Sequence, residues 1–239
     1  LFRQADDRYN SGLFHFRSEK GRGSGPDTLT PRLSVDDELL RKLVRGLYYP
    51  ESPYEFSVIG ADILGQVYEQ FLGKVIGLTK GHKATVTEKP EIKKAGGVYY
   101  TPTYVVEHIV RRTLVPRLEG KSPRQIAGLR VLDPACGSGS FLLVAYQHLL
   151  DWYHRYYTTH SPEKHARGKQ PALVAVTGGW ALSIAERKHI LTRHVFGVDV
   201  DSQAVEVTKL SLLLAVLEGE TAQTLQLALI HERVLRSEE

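Results

Sequence analysis

The chain has 239 residues, enough for one sizeable domain or two small ones, and its composition is ordinarily globular at 42% apolar and 24% charged. Its 31 Lys and Arg against 27 Asp and Glu give a net charge of +4 and a pI near 9.0, which suits a nucleic-acid partner without requiring one. The single cysteine, Cys136, excludes an internal disulfide and fits a reducing cytoplasm; no apolar run is long enough for a membrane span, and no signal peptide opens the chain. There is no methionine, not even at position 1, so the sequence is expected to be a piece of a longer product.

Residues 1–34 contain Tyr9-Asn10-Ser11-Gly12 and the cluster Gly21-Arg22-Gly23-Ser24-Gly25-Pro26, which reads as a flexible loop. Asp36 or Ser34 is placed to cap a helix through Leu39, Leu40, Leu43, Val44 and Leu47, closed by Pro50 and Pro53. Ile63, Leu64, Val67, Phe71 and Leu72 recur at three and four, predicting a second helix from 59 to about 76, with Gly73 and Gly77 marking its end. Both apolar stripes predict packing faces. Residues 78–95, with Lys80, Lys83, Lys89, Lys93 and Lys94, read as a solvated connection. Glu91-Ile92-Lys93 has the form of half a nuclease site, but such a tripeptide is common by chance and no upstream aspartate on a strand accompanies it.

Gly96-Gly97-Val98-Tyr99-Tyr100-Thr101-Pro102 reads as a turn, after which Thr103 or Thr101 caps a helix through Val105, Val106, Ile109, Val110 and Leu114, ended by Pro116. The central stretch is Val131-Leu132-Asp133-Pro134-Ala135-Cys136-Gly137-Ser138-Gly139-Ser140-Phe141. A short apolar run ends in an acid, a small glycine-punctuated loop follows, and then apolar residues take helical spacing. This predicts strand, tight turn, helix. Gly137 and Gly139 let the backbone turn sharply and approach a ligand closely. The loop opens onto a helix N-terminus, whose free N–H groups favour polar or anionic atoms.

That helix is predicted to lay Phe141, Leu142, Ala145, Leu149 and Trp152 against a sheet. Residues 158–182, with Pro162, Gly168, Pro171, Gly178 and Gly179, read as an irregular insertion. A further helix starts at Ser183, with Glu186 as its capping-box partner. Val195-Phe196-Gly197-Val198-Asp199-Val200-Asp201 then repeats the pattern: a β-branched run ending in an acid, followed by a helix through Ala204, Val205, Val207, Leu210, Leu213 and Leu214. In a parallel sheet ligands bind at the carboxyl ends of strands, where Asp133 and Asp199 both stand. A carboxylate after the second strand is placed to accept hydrogen bonds from ribose hydroxyls. That acid commonly lies about 20 residues past the glycines; here a longer helix and the insertion widen the gap.

A nucleotide-like ligand follows from this arrangement. The dinucleotide fingerprint G-x-G-x-x-G fails, because its third position is Leu142. Asp-Pro-Ala-Cys-Gly-Ser-Gly resembles instead the first motif of S-adenosylmethionine-dependent methyltransferases. Gly-Val-Tyr-Tyr-Thr-Pro and its helix, upstream, resemble the preceding cofactor motif of gamma-class DNA amino-methyltransferases. Phe-Gly-Val-Asp-Val-Asp and the helix after it resemble the second motif. With the helix at 61–74 and Arg8-Tyr9-Asn10-Ser11-Gly12, the chain is similar to large N6-adenine methyltransferases of type IIG restriction-modification and related phage-defence systems. The resemblance covers most of the chain, least so 14–35 and 158–182.

The resemblance implies a Rossmann-like, doubly wound α/β sheet, incomplete here, over residues 96–239, after a helical region over 1–95. It implies S-adenosylmethionine as cofactor, with double-stranded DNA and restriction or defence subunits as partners of the longer protein. Tyr100, Thr101 and Pro102 would wall the methionine and adenosine side. Asp133, Ala135, Gly137, Ser138 and Gly139 would form the methionine-end loop. Asp199 would hold the ribose, Val200 would pack on the adenine, and Asp201 would face solvent or start the helix. Cys136 is not expected to be a nucleophile, since amino-methylation needs no covalent step. The ten histidines show no metal-ligand spacing, so no metal is expected.

The family's catalytic motif, Asn/Asp-Pro-Pro-Tyr/Phe, holds the target amino group and stacks on a flipped base. No Pro-Pro pair occurs anywhere in the chain, so a cofactor-binding half without its catalytic half is expected, inactive alone. Two other readings compete. One is a non-catalytic DNA-binding or interaction module that keeps the motifs as relics. The other is a dinucleotide oxidoreductase, against which Leu142 argues. The cofactor motifs alone leave RNA or protein open as methyl acceptor.

Overall fold

The computed structural model describes residues 36–52, 63, 74–79, 84–88 and 101–219. Tyr100, the Arg8–Gly12 string, the Glu-Ile-Lys tripeptide and the expected domain boundary at 95/96 lie outside the described residues. The described elements fall into two compact units, one containing helix α1 (Asp37–Arg45) and the other everything from β1 onward.

Helix α1 starts where the sequence predicts. The Asp36 carboxylate accepts from the N–H groups of Glu38 and Leu39 at 2.9 and 3.1 Å, satisfying two orphan donors of the first turn. Its apolar stripe does not behave as a packing face: no α1 residue is buried, and Leu39, Leu40, Leu43 and Val44 are all exposed.

In the second unit, β1 (Lys74–Leu78) pairs antiparallel with β2 (Ala84–Glu88) in the register Lys74↔Glu88 to Leu78↔Ala84. This corrects two expectations. Lys74, Val75 and Ile76 form a strand, not the last turn of a helix, and 84–88 is a strand within the supposed connection. The physical reason is local: Val75 and Ile76 are β-branched, and Thr85-Val86-Thr87 is an unbroken β-branched run.

Helix α2 (Thr103–Thr113) begins one residue after Pro102, which fills the cap position and has no side-chain donor or acceptor, so neither Thr101 nor Thr103 is the cap. Pro116 does not stop the chain from turning; it sits in the first turn of the short helix α3 (Val115–Leu118), where its missing N–H costs nothing. Val106, Val110, Leu114 and Leu118 are buried and pack α2 and α3 toward helix α4 (Ser140–Thr159).

Strand β3 (Val131–Asp133) precedes α4. Strand β6 (Val195–Gly197) follows helix α6 (Ile184–His194) and precedes helix α7 (Ser202–Leu217). β3 and β6 pair in parallel, Val131↔Val195 to Asp133↔Gly197. The strand–loop–helix units read from the sequence are thus side by side, with α4, α6 and α7 packed against one another. The described residues form three two-stranded sheets in a mixed α/β arrangement.

The buried face of α4 is Leu142, Ala145, Tyr146, Leu149, Leu150, Tyr153 and Tyr157. Phe141 and Trp152, expected in that stripe, are half-buried. Tyrosines can replace them because each buried phenol finds a partner: Tyr146 donates to Arg187 O, Tyr157 to Glu186 Oε1 and Tyr153 meets His194 Nε2.

The insertion is also more ordered than expected. After the short helix α5 (Pro162–His165), β4 (Leu173–Val176) and β5 (Gly179–Leu182) form a hairpin around Thr177 and Gly178. Gly178 takes φ +93°, which a two-residue hairpin loop favours. Leu173 and Leu182 are buried, and His154 Nε2 lies 2.8 Å from Trp180 O. The predicted cap at Ser183 is present: its hydroxyl accepts from Glu186 N–H at 3.1 Å while donating to Pro171 O at 2.6 Å. The other half of the capping box is missing, because the Glu186 carboxylate is turned to Tyr157.

Candidate cofactor-binding loop

The parallel pairing continues past the strand ends. Val198 N–H donates to Asp133 O and Cys136 N–H donates to Val198 O, both at 2.9 Å, stitching loop 134–139 to the segment carrying Asp199. The Asp133 carboxylate folds back on its own loop, accepting from Ala135 N–H at 3.1 Å.

Asp199 is the pivot of the site. One carboxylate oxygen accepts from Gly137 N–H at 2.8 Å; the other accepts from Asp201 N–H at 2.8 Å. A carboxylate offers about four acceptor positions, so two remain for a further donor. Thr208, one helix away on α7, donates from its hydroxyl to Gly137 O at 2.8 Å. The loop is therefore held at one residue from both sides, by an acid on its N–H and a hydroxyl on its carbonyl.

The glycines are needed for geometric reasons. Gly139 has φ +86°, and a Cβ there would lie 2.7 Å from Thr208 Cγ2. Gly197 in β6 leaves no room either: a Cβ would meet Leu142 Cδ1 at 2.6 Å and Cys136 Sγ at 3.1 Å. Gly139 is also the cap residue of α4 and offers no side chain to its first turn.

The structure brings Asp133, Ala135, Gly137, Ser138, Gly139 and Asp199 to one end of the strand pair. Ala135 is exposed, whereas Ser138 and Gly139 behind it are buried. Val200 is fully exposed beside Asp199. Thr101 and Pro102 stand at the start of α2. The contacts Glu107–His148 and Leu118 O–Trp152 Nε1 advance together along α2–α3 and α4, so these segments run in the same sense. Thr101 and Pro102 consequently lie toward the loop end of α4.

Cys136 is buried beneath the loop. Burial above all, then the Asp199 and Asp133 carboxylates, push its thiol upward, only partly offset by the Thr208 hydroxyl. Burial of this kind is the setting of a cysteine that packs as a small apolar side chain. Among the described residues no group of three or more His, Cys, Asp or Glu side chains could hold a metal ion, and no helix is long and apolar enough to cross a membrane.

Thr208 and Gly197 are the site residues the motifs did not single out. Thr208 carried a weak signal, a hydroxyl on the buried side of an otherwise apolar helix, and Gly197 a stronger one, a glycine inside a β-branched run.

A parallel strand pair ending in a glycine-turned loop, an acid and a helix N-terminus is the centre of a mixed α/β unit. Residues 117–234 match the family model described as MmeI, DNA-methyltransferase domain. The chain is 31% identical over 223 residues to the type II restriction enzyme and methyltransferase RM.Eco57I of Escherichia coli, spanning 93% of this chain and 20% of that protein. It is 25% identical over 205 residues to RM.MjaORFECS2P of Methanocaldococcus jannaschii, provisionally named for the same two activities, spanning 70% of this chain and 15% of that one. The chain thus covers about a fifth or less of the length of these curated relatives.

Proposed function

We propose that this chain is the S-adenosylmethionine-binding part of a restriction-modification DNA methyltransferase that methylates adenine at N6. The observation that carries the reading is the Asp199 carboxylate, fixed on Gly137 N–H at the carboxyl end of a parallel strand with acceptor capacity to spare.

The residues fit such a guest. Gly139 lets the loop lie directly against Thr208, where no side chain would fit, and the first turn of α4 carries no side-chain cap. Val200 offers an apolar surface with nothing packed on it, suited to one face of a purine ring. When bound, the cofactor supplies an electrophilic methyl group. The chain's own part is to hold it: Asp199 on the ribose hydroxyls, the backbone of Gly137, Ser138 and Gly139 with Asp133 and Ala135 at the methionine end, Tyr100, Thr101 and Pro102 along its side. A complete Rossmann-like, doubly wound sheet and cytoplasmic residence belong to the same reading.

The amino-group chemistry is assigned to no residue of this chain, because no Asn/Asp-Pro-Pro-Tyr/Phe motif is present. Target base, double-stranded DNA and restriction or defence partners are engaged by the longer protein. The second reading is a non-catalytic DNA-binding or interaction module.

Calorimetric titration with S-adenosylmethionine separates the two. Asp199→Asn keeps an oxygen for Gly137 N–H but removes the charge, and is expected to lose roughly 1.5–3 kcal/mol of cofactor affinity. Binding equal to the unsubstituted chain, or no binding by either, would count for the module.

A further inference from the structure

We propose that a cleft at the amino ends of β3 and β6, opposite the glycine loop, binds a phosphate group. The cleft, about 350 Å³, is lined by Arg124 and Ala127 from the turn before β3, Tyr153 and Tyr157 of α4, and Glu186, His189 and Arg193 of α6. Arg193 stands two residues before β6 begins, and Ala127 four before β3, which fixes the end of the parallel pair involved.

The charges in this cleft do not cancel. Its one carboxylate, Glu186, accepts from Tyr157 at 2.7 Å. Neither Arg124 nor Arg193 has a carboxylate partner among the described residues. Arg193 is nonetheless held in place: Nε donates to Ala127 O at 3.0 Å, and Nη1 lies 3.1 Å from His189 Nε2. Arginine has only donors, so that imidazole nitrogen accepts. The guanidinium is held through Nε and Nη1 and keeps the N–H groups of Nη2 for an anion, which lowers the entropy lost on meeting one.

The surroundings reinforce the sign. Arg117, Lys121 and Arg130 flank Arg124 in sequence, against Glu119 alone. Burial lowers the pKa of neighbouring His194, and the charges of Arg193 and Arg130 push it further the same way. Two guanidiniums flanking an imidazole suit a phosphate, whose several oxygens can engage both forks at once, better than a carboxylate. The phosphate can come from a nucleic-acid backbone or from a small phosphorylated ligand; preferring the backbone rests on the proposed function.

The test uses the full 239-residue chain, with Arg124→Glu, Arg193→Lys and a control, Arg112→Glu, on the exposed side of α2. Inorganic phosphate is titrated while the Arg193 Nε–H resonance is followed. Duplex DNA of arbitrary sequence is titrated by fluorescence anisotropy at several salt concentrations. Saturable movement of the resonance by phosphate, weakened roughly tenfold in Arg124→Glu, supports the site. A matching loss of DNA affinity, with the salt slope shallower by about one, names the backbone as source; DNA affinity unchanged beside a phosphate effect names a small ligand. Arg193→Lys keeps the charge and is expected to weaken phosphate binding through loss of the fork. No saturable shift, or an equal loss in Arg112→Glu, overturns the proposal. S-adenosylmethionine titration of Arg124→Glu is expected to be unchanged, so failure here is distinguishable from failure of the cofactor reading.

Discussion

The two faces of the β3–β6 pair are built from similar residues and live in opposite environments. On one face Gly197 is pressed against Leu142 and Cys136, and Leu142 is 1% exposed. On the other, Leu132 and Phe196, cross-strand partners in the register, are 61% and 39% exposed, and Val198 beyond them is also bare. Strand alternation puts successive side chains on opposite faces, so the exposed set follows from the pleat itself. What differs is whether a helix covers the face: α4 covers one and no described element covers the other. A strand apolar on both faces belongs to a sheet covered on both. Among the described residues, β3 and β6 carry one helical layer and leave apolar side chains bare on the other face.

Paired truncations test that difference most strongly. Leu142→Ala is expected to destabilise the chain by about 2–5 kcal/mol in urea unfolding, from lost burial and a residual cavity. Leu132→Ala, the same chemical change one face over, is expected to stay within about 0.5 kcal/mol. Equal costs would mean that Leu132 is covered in solution, and the comparison would fail. A smaller effect is expected at the seam between the faces: Gly197→Ala forces a methyl against Leu142 and Cys136 and should cost about 1–3 kcal/mol. Combining it with Leu142→Ala should cost less than the sum, because the clash partner has gone. Additive costs would place the strain elsewhere than that contact.

The covered face was largely legible in the sequence, and so was the candidate site. Each unit announces itself by a β-branched run, an acid, small or glycine residues and a 3.6-residue periodicity, all of which are local. The cap at Ser183 was readable for the same reason. The α4 stripe was displaced because tyrosines look amphipathic until their hydroxyl partners are known, and those partners lie 29 to 41 residues away. The strand pairs β1–β2 and β4–β5 carried their signal in short runs, β-branched in β2 and apolar in β4, that charge and glycine content outweighed. The Asp199–Gly137 contact joins residues 62 apart, and the Thr208–Gly137 contact residues 71 apart. No pattern within a single element encodes them; they exist because parallel pairing brings two strand ends together.

The gentlest probe of the covered side needs no substitution at first. His194, at the end of α6, has no exposed surface; its Nδ1 lies 2.8 Å from Leu129 O and its Nε2 2.9 Å from Tyr153 OH. A carbonyl can only accept, so Nδ1 carries the proton and Nε2 takes the phenol's hydrogen bond, leaving a neutral ring. Burial lowers its pKa from the ordinary 6.5, and the Arg193 and Arg130 charges lower it further, against an opposing pull from Leu129 O. The same burial, with Glu186 behind it, pushes Tyr153 up to about 12, so the phenol stays a donor throughout the neutral range. As pH falls below 6.5 the unfolded chain takes up a proton that the native ring refuses, and stability drops until the lowered native pKa is passed. Urea midpoints measured from neutral to mildly acid pH should show this decline, and His194→Gln should flatten it while lowering stability overall. An unflattened decline would assign the acid sensitivity to other groups. A flattened one would show that the helix-covered side of the sheet, whose bare side has no such tie among the described residues, depends on one buried neutral imidazole.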